Sequence, residues 1–152
     1  SAKIKRIKDC LVQNIIEKNS RSPIHAPPSK QHATAGPYSP VLEITAGSIV
    51  VISGQAALDM QGNVNTLDFA EQTRITLANC LKQLNAAGCD FSNVFKVNVF
   101  LTNLKNWPTF NEVYAKIMVK PFPVRTAVQT ELLSEFLVEI EMWAAKPAAS
   151  TN

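Results

Sequence analysis

Histidine is scarce in this chain: only His25 and His32 occur in 152 residues, both inside a proline-rich stretch. That scarcity argues against a histidine base, a Ser-His-Asp triad and a His-ligated metal. Three cysteines, Cys10, Cys80 and Cys89, give neither the even number of a disulfide framework nor the spacing of a zinc site. They fit a reducing compartment, the cytoplasm first and the mitochondrion as the alternative. No apolar run approaches the ~20 residues that span a bilayer, and no apolar stretch leads into a small-residue cleavage site. A soluble protein with no membrane partner is expected.

A net charge of +3 invites a nucleic-acid reading, but the charge is unevenly spread. Lys3, Lys5, Arg6, Lys8, Lys18 and Arg21 face only Asp9 and Glu17 in the first 21 residues, and the remainder is close to neutral. No broad phosphate-binding face is announced, so nucleic acid is not the expected partner. With 46% hydrophobic residues the chain can bury an ordinary single-domain core.

Ile4, Ile7, Leu11 and Ile15 stand at helical spacing with basic residues opposite, which suits a docking helix, a membrane-surface helix or the remnant of a targeting peptide. From Ser20 to Pro40 the composition shifts to Ser, Pro, His and Lys without a period, reading as a linker laid over the surface. Residues 1–35 are therefore set apart from a folded domain over 36–147 and a short tail over 148–152.

Within the domain, VLEITAGSIVVISGQ holds two apolar runs divided by Ala-Gly-Ser, a hairpin signal, and DMQGN marks a second turn. Phe69, Ile75, Leu77, Leu81 and Leu84 predict an amphipathic helix from Asp68 to Ala87 that Gly88 ends. VFKVNVFLT alternates as a strand, NWPTFNEVYAKIM carries Pro108 where a first helical turn tolerates it, and VRTAVQ and LVEIEMWAA read as strands. The order is β-β-α-β-α-β-β, an α+β mixed sheet with two helices on one face.

Period two sends Arg125, Ala127 and Gln129 to one side of their strand, and Glu139 and Glu141 to one side of theirs. If the apolar faces meet the helices, Arg125 and Glu139 stand together on the other face, and neighbouring strands would give them a common site. A mixed face of this kind is either wet or covered by another subunit.

The chain resembles the Rid family, also called YjgF or L-PSP proteins, which are enamine/imine deaminases. The resemblance runs from about Gly36 to Lys146, through GPYSP at 36, VISGQ at 51, EQTRITLANCLKQLNAAG at 71, VFKVNVFLTNL at 94, FNEVYAKIM at 110, FPVRTAV at 122 and VEIE at 138. It implies a chorismate-mutase-like α+β fold and a homotrimer with sites in the clefts between subunits. It places the carboxylate-binding arginine at Arg125 and the water-holding glutamate at Glu139, with Tyr38, Ser53 and Asn111 lining the pocket. Ala127 stands where some members have cysteine, so a thiol is not required there.

These residue types suit 2-imino acids. An arginine fork grips a carboxylate with two parallel hydrogen bonds and fixes the adjacent imine carbon. A carboxylate nearby orients water, takes its proton and returns it to departing ammonia. No cofactor or metal is demanded. Blander readings stand beside these: Arg125 as an interface ion pair, Glu139 as a solvated strand residue, Tyr38 as a packing anchor, Asn111 as a helix-start satisfier and Ser53 as a turn residue.

One departure is plain. Where many members read roughly A-x-L-P-K-G, this chain has TELLSEF, which sets Glu131 and Glu135 near the mouth and leaves substrate choice open. Rival functions are RNA cleavage or translation inhibition, a non-catalytic ligand-binding trimer and a 2-aminomuconate-type deaminase. The first lacks a stacking platform and a histidine pair for phosphodiester chemistry.

Overall fold

The computed structural model describes residues 22–32 and 36–149, so the expected N-terminal helix lies outside them. Two short strands, β1 (Ile24–His25) and β2 (Glu43–Ile44), pair antiparallel. β3 (Ser48–Gln55), β4 (Val94–Leu101), β5 (Val124–Gln129) and β6 (Val138–Lys146) form a mixed sheet in the order β3-β6-β4-β5. Only the β4–β5 pair is parallel. Helices α1 (Phe69–Ala86) and α2 (Trp107–Ile117) supply the second layer, on one face of the sheet.

The expected element order recurs with β1 added, and two local expectations are corrected. The stretch expected as a surface linker contributes to the fold at residues 23–25: Ile24 is buried, its strand pairs with Ile44, and Thr45 N donates to Pro23 O at 2.8 Å. The Ala-Gly-Ser stretch does not make a hairpin, because β2 pairs with β1 and β3 pairs with β6. Gly47 answers to a different need. A Cβ there would come within 2.5 Å of Ala148 Cα, and Gly47 N donates to Lys146 O, so the chain passes hard against the end of β6. The DMQGN turn forms, with Asp59 accepting from the backbone of Gln61 and Asn63.

α1 begins where Asp68 caps it, accepting from Glu71 N at 2.8 Å, and stops at Gly88, whose φ of +72° lies in the left-handed region that favours glycine. Its buried stripe is Phe69, Thr73, Thr76, Leu77, Cys80 and Leu84, flanked by a buried Gln72. Ile75 and Leu81 lie at its margins. Thr73 discharges its hydroxyl onto Phe69 O, and Gln72 bonds Thr66 O, Glu135 O and Leu137 N, which pins the TELLSEF loop to the helix. Beneath the helices lie Ile52 of β3, Val97, Val99 and Leu101 of β4, and Val138, Ile140 and Met142 of β6. Each such side chain contributes roughly 1.5–3 kcal/mol by leaving water.

The opposite face carries Phe100, Trp143, Asn98, Glu139 and Glu141, with Ile49, Val51 and Val128 exposed along it. Asn98 Nδ2 donates to Glu141 Oε1 at 2.9 Å.

Candidate active site

Residues directly opposite one another across a sheet share a face. Arg125 pairs with Val97, which pairs with Met142, and both are fully buried under the helices. Arg125 therefore points to the helix side of the sheet. Glu139 pairs with Phe100 and points to the other side. β4 also lies between their strands. The expectation that Arg125 and Glu139 share a face, and could share a site within one chain, is overturned: period two says which residues travel together along one strand, but not how two strands are phased.

Arg125 escapes the core because β5 is an edge strand, and its side chain runs out along α2. Trp107, Phe110 and Tyr114, spaced by three and four on that helix, present their rings to it. The guanidinium carbon lies 4.5 Å from the Trp107 ring centre, 4.7 Å from Tyr114, 5.8 Å from Phe110 and 5.7 Å from Tyr38. Trp107 and Phe110 stack at 5.3 Å and 4°, and Phe110 stacks on Tyr114 at 5.5 Å, so the rings hold one another in place.

GPYSP reaches this point because it is sewn to the strand that carries Arg125. Ser39 N donates to Pro123 O at 3.2 Å and Ser39 Oγ donates to Phe122 O. Tyr38 is held from the far side, its hydroxyl 3.3 Å from His32 Nε2 and its carbonyl accepting from Gln31 Nε2. Gly36 marks where the pieces converge: a Cβ there would lie 3.4 Å from Arg125 Nη2, 3.7 Å from the Tyr38 ring and 3.8 Å from Asn111 Nδ2.

Four polar atoms in this cluster are buried without a hydrogen-bond partner: Arg125 Nη1 and Nη2, Asn111 Oδ1 and Tyr114 Oη. Arg125 takes part in none of the ion pairs among the described residues. Burial pulls its pKa down, opposed by the nearby Tyr114 and Tyr38, but from a starting value so high that the fork stays charged at neutral pH. Burial likewise pushes the Tyr114 phenol well above its usual range, so it stands as a neutral donor.

Glu139 and Ser53 lie away from this cluster. Ser53 and Gly54 sit where β3 and β6 lose register between Ile52 and Gln55, and the Glu139 carboxylate occupies the space that a Cβ on Gly54 would need. Glu139 also lines a cleft with Phe136, Met60, Asn79 and Lys82, so the TELLSEF loop borders this cleft. Arg125 lies at the other end of β5 from that loop, about 16 Å away along the strand. Ala127 faces the core beside Val99.

Of the six residues expected at the site, the fold gathers Arg125, Tyr38 and Asn111, keeps Ser53 and Glu139 apart from them, and leaves Ala127 on the strand beyond Arg125. Trp107, Phe110 and Tyr114 were not expected. Their signal was the aromatic spacing within NWPTFNEVY, which reads as ordinary helix packing until Arg125 is placed beside it. No group of metal-ligating side chains occurs among the described residues, and no helix there is long and apolar enough to cross a membrane.

Fold and clusters together define an α+β chain with one buried, unpartnered arginine among aromatic rings and one carboxylate apart from it. The family model described as Endoribonuclease L-PSP matches residues 28–146, and the chain belongs to this family, the Rid or YjgF proteins. Protein mmf2, mitochondrial, of Schizosaccharomyces pombe is 36% identical over 109 residues, 72% of this chain and 82% of the relative. The 2-iminobutanoate/2-iminopropanoate deaminase of Bos taurus is 35% identical over 125 residues, 81% and 90% of the two chains. The Rid-family protein YyfB of Yersinia pestis shares the fold, with a TM-score of 0.71 over 81% of this chain and 98% of that one, at 24% identity.

Proposed function

We propose that this chain hydrolyses 2-imino acids and their enamine tautomers to 2-keto acids and ammonia, as a homotrimer with its sites between subunits. The observation that carries this reading is the Arg125 fork, two buried nitrogens without an acceptor in a cluster shared with Tyr38 and Asn111. Buried donors left unpaired cost about 1–3 kcal/mol, more when charged, and a ligand carboxylate removes that cost with two parallel hydrogen bonds. Binding by the carboxylate fixes the adjacent C=N carbon. Glu139 then orients a water molecule, accepts its proton as the C–O bond forms and the C=N pair moves to nitrogen, and gives that proton to the nitrogen. It next carries the new hydroxyl's proton to the same nitrogen, so that the C–N bond breaks, the carbonyl forms and ammonia leaves. An imine carbon is electrophilic enough that the step calls for no metal or organic cofactor.

The same geometry supports an assembly of this kind. Within one chain Arg125 and Glu139 lie on opposite faces with β4 between them, so a site using both needs Glu139 from a neighbour. The sheet face bearing Glu139 has Ile49 and Val51 more than half exposed, which suits burial against another copy. A name such as that of the mitochondrial mmf2 relative supports placing this protein in the mitochondrion rather than the cytoplasm.

The test is direct. Imines are generated in situ from a panel of amino acids, and ammonia and keto-acid release are followed with and without the protein. Acceleration with small aliphatic imines is expected, and single-stranded RNA incubated with the same preparation stays intact. No acceleration with any imine ends the reading.

A further inference from the structure

Arg125 is a half-buried cation without a carboxylate at hand, an expensive arrangement unless something else stabilises the charge. What surrounds it is four aromatic rings, all within 6 Å of the guanidinium carbon. The faces of aromatic rings attract a cation through their quadrupole, most strongly for indole. They do so without accepting the in-plane N–H hydrogen bonds that a carboxylate would take. A protein carboxylate beside Arg125 would neutralise the charge and occupy the fork together. The rings do the first and leave the second undone.

Trp107 is singled out by position. Its ring is nearest to the guanidinium carbon, and it lies at the rim, half-buried, whereas Phe110 and Tyr114 are fully buried and also support the core. Its orientation is set from both directions. It opens α2 directly after a 3-10 turn over Leu104–Asn106, with Pro108 in the first turn, and it stacks on Phe110 almost parallel. Asn111, one turn further on, carries its own unpartnered buried oxygen into the same cluster.

We propose that Trp107 is a positioning residue for Arg125: its ring stands in for a counter-ion, holding the guanidinium in place with both Nη groups reserved for a ligand carboxylate. The proposal rests on the reading of Arg125 as the carboxylate grip, and it adds that grip strength is set by an aromatic face on α2. Trp107 touches no reacting atom. Its loss weakens binding and leaves the chemical step on bound substrate nearly intact.

The experiment measures binding of 2-oxobutanoate by calorimetry, with 2-butanone as the ligand lacking a carboxylate, for the parent, Trp107→Phe and Trp107→Leu. Imine turnover, assembly mass and Tm are measured on the same preparations. Trp107→Phe keeps a ring face and is expected to bind within about threefold of the parent, whereas Trp107→Leu binds roughly 3- to 30-fold more weakly, the range that loss of a partly desolvated cation–π contact gives. For the leucine variant KM rises by a similar factor and kcat changes little. Leucine binding as tightly as the parent overturns the proposal, as does equal loss in both variants with a matching fall in Tm, which would make the ring a packing element. A parent that binds 2-oxobutanoate but accelerates no imine hydrolysis would sink the deaminase reading and leave the role of Trp107 standing. A parent that binds no carboxylate overturns the role itself.

Discussion

Arg125 and Glu139 stand on opposite faces of the sheet, with β4 between their strands. A site drawing on both must therefore draw them from different chains. Arg125→Lys keeps the charge but loses the bidentate fork, so weaker keto-acid binding is expected. Glu139→Gln should keep binding and lose about 10² to 10⁴ in turnover, the usual worth of a positioned acid–base group. Each variant should have a mass near three times 16.7 kDa by light scattering. Unfolded together at equal amounts, refolded and assayed at substrate too dilute for Arg125→Lys to bind, the two impaired variants should recover about one quarter of the sites, since a ring of three restores a site wherever an intact Arg125 meets an intact Glu139. Recovery no greater than the sum of the separate variants would place the site within one chain.

Gly54 offers a finer probe of Glu139. Its Cβ would run into the carboxylate oxygen of a flexible side chain, not into backbone, so Gly54→Ala is expected to fold with Tm changed little. The carboxylate, however, must move. Turnover should fall by tenfold or more while 2-oxobutanoate binding stays near the parent value, because a general base acts only within hydrogen-bond reach. Unchanged turnover would show that Glu139 need not sit where it does.

Cys80 is buried against β6, and burial pushes its thiol from about 9.0 up to about 12. Iodoacetamide at pH 8 should leave it unmodified in the folded protein and label it after denaturation, read by peptide mass mapping. The sign of the linkage follows. Between pH 9 and 12 the unfolded thiol ionises and the folded one does not, so this group's contribution is intact below pH 9 and is lost as pH rises through that window. Denaturant midpoints rising above pH 9 would contradict the burial.

β1 makes the amino-terminal segment a structural matter. Removing residues through Lys30 takes away Ile24, its pairing with Ile44, and the carbonyl that Thr45 uses. A fall in stability of about 1–3 kcal/mol is expected from the lost apolar burial, measured by urea unfolding. An unchanged midpoint would return the segment to the status of a surface linker.

Much of the fold was legible because strong local signals agree with it. Asp68 and Gly88 bracket α1, Pro108 sits in the first turn of α2, and β4 to β6 alternate where the sequence alternates. What could not be read was anything set by strand order. VRTAVQ looks the same whether its neighbour is β4 or β6, and only pairing through Val97 and Met142 tells which side Arg125 takes. The buried stripe of α1 was partly hidden because Gln72, Thr73 and Thr76 fill core positions, with Gln72 and Thr73 satisfied by carbonyls that no periodicity reveals. Ala-Gly-Ser looked like a turn because glycine serves both turns and close backbone approaches, and at Gly47 it serves the second.

The stretch that leaves the sheet at Leu101 and returns at Val124 carries Trp107, Phe110, Asn111 and Tyr114, and Arg125 is the second residue of the strand it delivers. The proposed anion grip is thus built within one chain, from this connection together with Tyr38, while in the proposed trimer Glu139 would reach it across an interface. Dilution should separate the two: as subunits part, catalysis fades with a concentration dependence of its own while capture of a carboxylate persists in the single chain. The protein would then have one threshold in its own concentration, for consuming its ligand, and none for holding it.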